Sequence, residues 1–322
     1  MHFAEPVLSF PPVGVVMRAQ LVNKTKTEKR FTVNGSVQKK CMRVSAYPMP
    51  AISKIFDFVA SFEFRAKIDL KHAYHNLEVH PDDRKYTITI GAGRAIQWRK
   101  CVQGFASTGN FFQWAMELIL GPDVVFVIAA VYLDDLIIFG HTSAECAANF
   151  STVMKILNDV NFRVAFAKCQ FTPSQSISFL GCQLDGLKVS PGPKVALALG
   201  KILPFYKQPT PKTQQQHLYS FLGLCAYLNN HKLGLKPALQ PLYDIVAKSP
   251  FTFSDRHRQC FDMCHAMLLE LDPYWLPDPT LPLEIMTDAS GGTTGDGCPR
   301  YPPQHTLDSK VLPSALAAAL CP

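Results

Sequence analysis

The clearest strand pattern is a strict alternation of apolar and polar residues in FEFRAKIDL, residues 62–70. One face of this segment is apolar, and the other carries Glu63, Arg65, Lys67 and Asp69. Because successive side chains of a strand point to opposite faces, the pattern predicts a half-buried strand. Asp69 ends the polar face, where a solvated acid is the simplest interpretation.

The most apolar segment, VVFVIAAVYLDDLIIFG at residues 124–140, contains two adjacent acids, Asp134 and Asp135. It is too apolar for an exposed strand, and each side of the acids is too short for a pair of helices. We therefore predict a buried antiparallel hairpin with Leu133, Asp134 and Asp135 at its tight turn. An ionised carboxylate held away from water is costly unless it is paired, protonated or bound to a metal. These two acids therefore need a chemical explanation.

Further elements follow from apolar periodicity and from their end signals. TGNFFQWAMELIL is predicted as a helix that stops at Gly121, and another helix starts at Thr142 with Glu145 in a capping box. YTITI and AIQWR form a predicted hairpin, YPMPAISKIFDFVA contains a short helix, and strands are expected near 163–166 and 177–184. This order predicts an α+β domain with helices on one side of an antiparallel sheet.

The composition changes near residue 190, where prolines at 191, 193, 204, 209 and 211 indicate a domain border. Beyond the border, a helix is predicted with one apolar face, made of Leu218, Phe221, Leu222 and Cys225. With 322 residues and 48% hydrophobic content, the chain suits one large domain or two to three smaller ones.

Basic residues are concentrated near the N-terminus. Between Arg18 and Arg43 there are eight basic residues and one acid, an excess of seven that equals the net charge of +7 of the whole chain. Such a cluster indicates a polyanionic partner, with a solvated loop as the alternative interpretation.

Cysteine usage and the N-terminal sequence indicate an intracellular chain. Ten scattered cysteines without a CxxC pair do not suggest a disulfide framework. CFDMCH, Cys260 to His265, has the nearest spacing to a metal site, yet no second half-site follows, so ordinary thiols are expected there. The N-terminus lacks a basic lead and is broken by prolines, which argues against a signal peptide. The apolar residues 124–133 are too few to span a bilayer, so we expect a soluble cytoplasmic or nuclear protein with no membrane partner.

The acids gain a common explanation if the strand of Asp69 lies beside the predicted hairpin. Two or three carboxylates would then converge at one sheet edge and raise the pKa values of one another. Divalent cations remove that cost, and Mg²⁺ prefers sites with few carboxylates, water and substrate phosphate. Two such ions catalyse phosphoryl transfer, and a polyanionic substrate agrees with the basic cluster.

Eight sequence blocks identify a family. YPMPAI, KIDLKHAYHNLEVHPDDRKYT, QGFASTGNFFQ, VYLDDLIIF, KCQF, FLGCQL, FLGLCAYL and MTDAS occur in this order. They resemble the reverse transcriptase region of a retroelement Pol polyprotein, of the gypsy type of LTR retrotransposon, over roughly residues 13–293. YxDD in an apolar hairpin is a specific signal, and eight blocks in register make coincidence very improbable.

The resemblance implies an α+β right-hand polymerase with an antiparallel palm sheet, helices on one of its faces, partial fingers and a helical thumb. The implied domains are partial fingers at 1–46, palm with remaining fingers at 47–187, and a thumb-like helical region at 188–250. A connection and the start of an RNase H-like domain follow at 251–297, and a divergent tail, expected to be disordered, occupies 298–322.

The resemblance also implies a catalytic centre of three carboxylates. Asp69 and Asp134 would hold both Mg²⁺ ions, for which Mn²⁺ is a substitute, and Asp135 would complete the cluster. The carbonyl oxygen of Leu70 would face one metal.

Contacts to nucleotide and primer are implied as well. The backbone amides of His72 and Ala73 would meet the triphosphate, and Tyr74 matches the aromatic gate that excludes a ribose 2′-hydroxyl. Gln103 would lie against nucleotide and template, while Arg30, assisted by Lys24 or Lys26, would contact phosphates. A further set, the primer grip, would comprise Phe179, Leu180 and Gly181.

Departures from the family pattern occur at both ends. The fingers motif, usually Asp-Tyr-Arg, reads Asn34-Gly35-Ser36 here. Asp288 matches the first RNase H carboxylate, but the later acids of that domain have no counterpart in the sequence that follows. We therefore expect no RNase H activity.

Two functional hypotheses follow. The first is an RNA-directed DNA polymerase that joins dNTPs to a primer paired with an RNA or DNA template, in a Mg²⁺-dependent reaction. The second is a catalytically inactive, decayed or repurposed fragment that at most binds nucleic acid. Another nucleotidyl-transfer enzyme with a similar palm, such as a cyclase, does not account for the FLGLCAYL and MTDAS blocks.

Overall fold

The structure is a computed structural model, and it describes residues 3–7, 16–23, 29–41, 47–91, 94–105, 107–278 and 281. The chain divides into two compact units, Met1–Phe179 and Leu180–Pro322. The predictions for Lys24, Lys26 and Asp288 and for the tail lie outside the described residues. Within the described part, no helix combines the length and apolar character needed to cross a membrane.

The first unit contains both strands and helices. Its strands are β1 (Ala4–Pro6), β2 (Met17–Asn23), β3 (Lys29–Asn34), β4 (Phe64–Asp69), β5 (Thr89–Gly91), β6 (Arg94–Trp98), β7 (Ala129–Tyr132), β8 (Asp135–Gly140), β9 (Gln170–Ser174) and β10 (Ser176–Phe179). Its helices are α1 (Ser36–Cys41), α2 (Ile52–Val59), α3 (Thr108–Leu120) and α4 (Ser143–Asp159), with short 3₁₀ helices at Ala73–Asn76, Pro81–Thr87 and Phe166–Lys168.

An antiparallel sheet in the order β7-β8-β4-β9 forms the centre of the first unit. Strand β4 pairs with β8 along its whole length, so that Asp69 lies opposite Asp135. Tyr132 pairs with Asp135 around a turn made of Leu133 and Asp134. The predicted buried hairpin is therefore confirmed, although β7 begins only at Ala129 because the preceding residues form turns.

Helices α3 and α4 cover one face of this sheet with apolar side chains. Ala66 and Ile68 of β4 and Ile138 of β8 are buried against Phe112 of α3 and Val153 of α4. Both helices were predicted from their periodicity, and α3 ends before Gly121 as expected. This packing fixes the end of β4 and the β7–β8 turn relative to each other, because both belong to one continuous core.

The N-terminus of α4 has a modified capping box. Thr142 Oγ1 accepts a hydrogen bond from the Glu145 backbone nitrogen at 3.1 Å, as predicted. The carboxylate of Glu145, however, accepts from the backbone nitrogen of His141 at 2.8 Å, one residue before the position that a capping box requires.

The second face of the sheet corrects one prediction from the alternating pattern. Arg65 was placed on a polar face of a half-buried strand, yet it is fully buried. Its guanidinium donates to the Val59 carbonyl oxygen at 3.1 and 3.3 Å and to the Gln175 carbonyl oxygen at 2.9 Å. Phe58 of α2 also packs edge-on against Phe139 on this side, with ring centroids 5.5 Å apart. Alternation shows which residues share a face, but not whether another element covers that face.

Two predicted strands are also corrected. The segment near 163–166 makes only a single bridge, between Val164 and Leu70, before a 3₁₀ helix begins at Phe166. The expected strand at 177–184 is interrupted, because Leu180 and Gly181 have φ values of 46° and 82°. Positive φ values end the extended conformation.

The N-terminal strands form a second sheet in the order β1-β6-β5-β2-β3. The hairpin predicted from YTITI and AIQWR is present as β5 and β6, but β5 starts only at Thr89 because Pro81–Thr87 is a 3₁₀ helix. Met17, Val33 and Trp98 are buried in a small core beneath this sheet.

The second unit is mostly helical. Its elements are β11 (Cys182–Asp185), β12 (Lys188–Pro191), α5 (Pro193–Leu199), α6 (Pro211–Leu228), α7 (Leu235–Ala238), α8 (Gln240–Val246), α9 (Asp255–Leu269) and β13 (Tyr274–Trp275). The predicted apolar face of α6 is confirmed, and Phe221 packs against Phe261 of α9 with centroids 4.3 Å apart. Cys260 and Cys264 are buried free thiols on α9.

Close packing between β8 and α4 leads to a stability prediction. A Cβ atom added to Gly140 would lie 2.6 Å from the backbone nitrogen and 3.0 Å from the Cα of Cys146. We expect Gly140→Ala to lower the free energy of unfolding by about 1–3 kcal/mol, measured by urea denaturation. Gly223→Ala in α6 is the control and should be neutral or slightly stabilising, because the new Cβ would have no atom within 4 Å outside its chain neighbours and the backbone of its own helix. Equal unfolding midpoints for Gly140→Ala and the unmodified chain would contradict this packing.

Candidate active site

The end of β4 and the β7–β8 turn meet at a cavity of about 540 Å³. Asp69 and Asp134 both line this cavity, and the Leu70 backbone nitrogen donates to the Asp134 carbonyl oxygen at 3.1 Å. The Asp69 side chain is only 13% exposed. Two carboxylates that are 65 positions apart in the sequence therefore share one site, which makes a solvated, isolated Asp69 untenable.

The carboxyl group of Asp134 is disfavoured in its charged form. It lies on an exposed turn, but the surrounding protein raises its pKa, chiefly by desolvation and further through the negative charges of Asp135 and Asp69. Asp69 instead has a cationic partner, because Lys168 Nζ lies 3.1 and 3.2 Å from its two carboxylate oxygens. Both observations indicate a site that favours bound positive charge.

Asp135 faces a different partner. Its carboxylate lies 2.8 Å from Lys67 Nζ, and Asp135 does not line the cavity. Within the described ranges, no three His, Cys, Asp or Glu side chains approach closely enough to hold a metal. The structure thus brings Asp69 and Asp134 to the cavity and pairs the third acid with a lysine. The role of Asp135 in the site stays a prediction.

Lys168 was not assigned a role from the sequence, although it belongs to the KCQF block. Its segment is fastened to the end of β4 by hydrogen bonds from the Ala165 nitrogen to the Asp69 oxygen at 2.8 Å and from the Lys71 nitrogen to the Arg163 oxygen at 2.7 Å. The spacing of 99 residues between Asp69 and Lys168 gives no local signal for this ion pair.

Gln113 of α3 holds the acidic turn in place. This fully buried side chain donates from Nε2 to the Val131 oxygen at 2.9 Å and accepts at Oε1 from the Leu133 nitrogen at 2.8 Å. Leu133 has a φ of 54°, which is unusual for a residue other than glycine and costs energy. Because Gln113 binds the backbone on this strained turn, it fixes the position of Asp134.

The carboxylate of Glu117 in turn orients the Gln113 side chain. Its Nε2 also donates to Glu117 Oε1 at 2.7 Å, and the Tyr47 hydroxyl donates to the other oxygen of Glu117. That hydrogen bond, followed by burial and the charge of Glu117, raises the pKa of Tyr47. The chain of contacts therefore runs from the YPMP segment through α3 to the turn. Sequence reasoning missed it, since Gln113 looked like an ordinary helix residue.

Four of the five residues expected to contact nucleotide border the cavity. His72, Ala73, Tyr74 and Gln103 all line it. His72 has a φ of 52°, and the 3₁₀ helix that follows brings Tyr74 edge-on to Phe112 with centroids 5.2 Å apart. Burial, and then the charge of Asp134, raises the pKa of Tyr74, so its hydroxyl stays protonated.

The loop of Gln103 is joined to strand β3. The Val33 nitrogen donates to the Gln103 oxygen at 3.1 Å, and Gly104 has a φ of 108°. A Cβ atom on Gly104 would lie 1.8 Å from the Val33 oxygen, so only glycine permits this approach. Strand β3 also brings Phe31 to the cavity; the backbone of Arg30 belongs to the same strand, while its side chain lies outside the described residues.

The three residues expected in the primer grip have distinct environments. Phe179 is buried at the end of β10. In the second unit, the Leu180 carbonyl oxygen accepts a hydrogen bond from the Tyr227 hydroxyl at 2.7 Å, and Gly181 follows with a positive φ. Their contact with a primer stays a prediction.

The donors at the cavity suit a hard cation. Asp69 and Asp134 offer carboxylate oxygens, and Leu70 also lines the cavity. Mg²⁺ commonly binds through one or two carboxylates and fills its remaining positions with water and substrate phosphate. Two carboxylates beside a cavity large enough for a nucleotide therefore fit this ion.

Comparison with known proteins gives a consistent result. Residues 23–184 match the family described as reverse transcriptase (RNA-dependent DNA polymerase). The chain is 28% identical over 264 residues to the retrovirus-related Pol polyprotein from transposon gypsy of Drosophila melanogaster, covering 77% of this chain and 24% of that protein. It is 26% identical over 244 residues to the Gag-Pol polyprotein of gibbon ape leukemia virus, covering 72% of this chain and 14% of that protein.

Solved structures show the same architecture. The foamy viral protease-reverse transcriptase in complex with double-stranded DNA matches with a TM-score of 0.70 at 17% identity, over 86% of this chain and 47% of that one. The foamy viral protease-reverse transcriptase in complex with an RNA/DNA hybrid matches with a TM-score of 0.63, over 82% of this chain and 35% of that one. These likenesses establish the α+β polymerase fold that the resemblance implied.

The chain therefore belongs to the reverse transcriptase family of RNA-dependent DNA polymerases. Its similarity is to the reverse transcriptase region of retroelement Pol polyproteins, as its sequence blocks predicted. The chain spans about a quarter or less of the length of these two curated relatives.

Proposed function

We propose that this chain is an RNA-directed DNA polymerase module that transfers a nucleotidyl group from a dNTP to a primer 3′-hydroxyl. The hydroxyl oxygen gives up its proton to water and forms a bond to the α-phosphorus. The bond between the α-phosphorus and the oxygen that bridges the α- and β-phosphates breaks, and pyrophosphate leaves with that oxygen. The observation that carries this proposal is the convergence of Asp69 and Asp134 on one cavity. When bound, two Mg²⁺ ions would supply charge neutralisation and polarise the reacting oxygens.

The proposed metal ligands are the carboxylates of Asp69 and Asp134 and the carbonyl oxygen of Leu70, with Asp135 beside them. Asp135 enters this set only if its carboxylate leaves Lys67. The chain supplies these ligands on rigid elements, since Asp69 ends a core strand and Gln113 fixes the turn of Asp134. Preorganised groups of this kind need little rearrangement during reaction.

The proposed nucleotide contacts come from the remaining cavity wall. The amides of His72 and Ala73 meet the triphosphate, Gln103 lies against nucleotide and template, and Arg30 contacts phosphates. Lys168 extends the cationic surface, because its ammonium group already lies at the cavity on Asp69. Lysine is a strong phosphate partner once an anion is available.

A primer paired with an RNA or DNA template is the proposed partner. Two foamy viral relatives of known structure are described in complex with double-stranded DNA and with an RNA/DNA hybrid. The basic segment between Arg18 and Arg43 supports a polyanionic partner for this chain. Phe179, Leu180 and Gly181 are the proposed primer grip, and residues 188–250 the proposed thumb.

RNase H activity is not part of the proposal. Asp288, which matches the first RNase H carboxylate, lies outside the described residues, and the expectation of no RNase H activity stays a prediction. The assignment of 251–297 as the start of that domain, and of the other domain limits, stays a prediction.

The deciding experiment is primer extension on an RNA template in Mg²⁺. Synthesis by the full chain supports the polymerase. Its absence, with salt-sensitive binding to primer–template retained, supports the alternative of an inactive fragment that only binds nucleic acid.

Tyr74 is expected to control the choice of sugar. Its ring borders the cavity and is held by Phe112, so Tyr74→Val removes the bulk that would meet a ribose 2′-hydroxyl. We expect the preference for dNTP over rNTP to fall by about 10- to 100-fold, measured as a ratio of kcat/KM values. Tyr74→Phe keeps the bulk and should keep the preference. A preference unchanged in Tyr74→Val would rule out this role.

A further inference from the structure

Two phenylalanines are exposed beside the cavity. Phe166 is 65% exposed and lines the cavity, and Phe171 is 43% exposed. Their rings are stacked, with centroids 5.7 Å apart and an interplanar angle of 17°. Exposed aromatic surface of this size beside a functional cavity is typical of a binding site.

The backbone and the neighbouring side chains hold both rings in place. Phe166 begins a 3₁₀ helix whose preceding residue, Ala165, donates its backbone N–H to the Asp69 carbonyl oxygen at 2.8 Å. The Phe166 carbonyl oxygen accepts from the Cys169 nitrogen at 3.1 Å. Phe171 packs edge-on against Phe150 of α4, with centroids 5.5 Å apart. The stacked pair is therefore preorganised and linked directly to the strand that carries Asp69.

One ring face of Phe166 is partly covered by Phe171, which does not line the cavity. Phe171 thus supports the Phe166 ring, and Phe166 keeps 65% of its surface exposed while it lines the cavity, so surface remains there for a ligand. A flat ring supported from behind is suited to stacking with a planar group.

Two lysines line the same cavity as the Phe166 ring. Lys168 and Lys71 are exposed residues that line the same cavity, and the Lys168 side chain is 62% exposed. An aromatic surface next to ammonium groups matches a ligand with a planar base and phosphates. A purely apolar peptide or lipid would gain nothing from these lysines.

We propose that Phe166, backed by Phe171, stacks with the base of a nucleoside triphosphate that binds without a template. Its phosphates lie toward Lys168 and Lys71. This stacking position is additional to the sugar contact proposed at Tyr74. The inference rests on the proposed function only in assigning the cavity to nucleotides.

The test compares ligands with and without a base. Binding of dATP and of inorganic tripolyphosphate to the full chain is measured by calorimetry in Mg²⁺, with no primer or template. We expect dATP to bind at least about fivefold more tightly than tripolyphosphate, because a base stacked on an aromatic side chain contributes that much or more. In Phe166→Ala the ratio of the Kd for tripolyphosphate to the Kd for dATP should fall to near one, and in Phe166→Trp this dATP ratio should be kept.

Phe111→Ala is the matched control. Phe111 is 39% exposed and contacts Trp114 with centroids 5.4 Å apart, but it does not line the cavity. Its replacement should leave the dATP ratio unchanged, and melting temperatures of both alanine variants show that they fold. An unchanged ratio in Phe166→Ala, or a ratio near one in the unmodified chain, overturns the inference.

A third ligand, a short single-stranded oligonucleotide, distinguishes a site for a free nucleotide from a site for a nucleic-acid strand. If Phe166→Ala weakens a short single-stranded oligonucleotide while the dATP ratio stays intact, the ring serves a strand and the inference is wrong. Because no synthesis is measured, the result is independent of primer extension. A chain that fails to extend a primer can still show base-dependent binding, and an active polymerase can lack it.

Discussion

Asp134→Asn is expected to abolish primer extension, with a loss of at least about a hundredfold. The neutral amide removes one of the two carboxylates that line the cavity, and the metal ions it would help hold are worth several kcal/mol to the transition state. The measurement is the rate of single-nucleotide addition to a primer on an RNA template at saturating Mg²⁺.

Asp123→Asn is the matched control, since Asp123 is an exposed acid upstream of the same hairpin. It should extend the primer at the rate of the unmodified chain. Retention of more than a tenth of the activity by Asp134→Asn would remove Asp134 from the catalytic centre.

Asp134→Asn, which should abolish activity, should instead raise the stability of the metal-free chain at neutral pH. The pKa of Asp134 is raised in the folded chain, mainly by desolvation, so the folded state holds its proton more tightly than the unfolded state. Stability of the metal-free chain therefore falls as pH rises from the ordinary Asp pKa of about 3.9 through the raised value. Asp134→Asn should accordingly be the more stable protein at neutral pH, and the difference should vanish below about pH 3.9.

Gln113→Leu is the second change with a large expected effect. Leucine fits an apolar helix face but leaves the Leu133 nitrogen and the Val131 oxygen without their partner at the strained turn. Each unsatisfied buried group costs about 1–3 kcal/mol, and a shift of about 1 Å in Asp134 lowers turnover by up to about a hundredfold. We expect kcat to fall 10- to 100-fold, while the Kd for primer–template stays unchanged.

Glu117→Gln separates positioning from folding. Glutamine still accepts the hydrogen bond from Gln113 at its single amide oxygen, and its amide nitrogen donates to the Tyr47 hydroxyl oxygen in place of the hydrogen bond that Tyr47 donates to Glu117. The turn therefore keeps its anchor, and the loss of kcat should stay below about tenfold. If Gln113→Leu instead lowers stability but leaves kcat intact, Gln113 is only a structural residue.

Most of the fold was predictable from the periodic spacing of apolar residues in the sequence. Helices α3 and α4 and the β7–β8 hairpin were predictable because each has a continuous apolar pattern and a local end signal, such as Gly121 or Thr142. Arg65 was not predictable in the same way. Its partners are carbonyl oxygens of Val59 and Gln175, which the alternation of its own strand does not encode.

The site was predictable as far as sequence motifs reached. The YxDD hairpin and the strand of Asp69 pointed to one centre, and the structure brings Asp69 and Asp134 to one cavity. The lysines that pair with Asp69 and Asp135 were missed, because ion pairs between distant segments leave no periodic trace. Gln113 was missed for a related reason, since a buried amide on a helix has no pattern of its own.

The glycine contact between Gly104 and Val33 has a mechanical consequence. With a backbone hydrogen bond and no side chain between them, the Gln103 loop and strand β3 behave as one piece. Any movement of the paired strands β2 and β3 would therefore also move Gln103. A movement at the outer edge of the N-terminal sheet would thus be felt at the cavity without any displacement of the Asp134 turn, which α3 anchors separately.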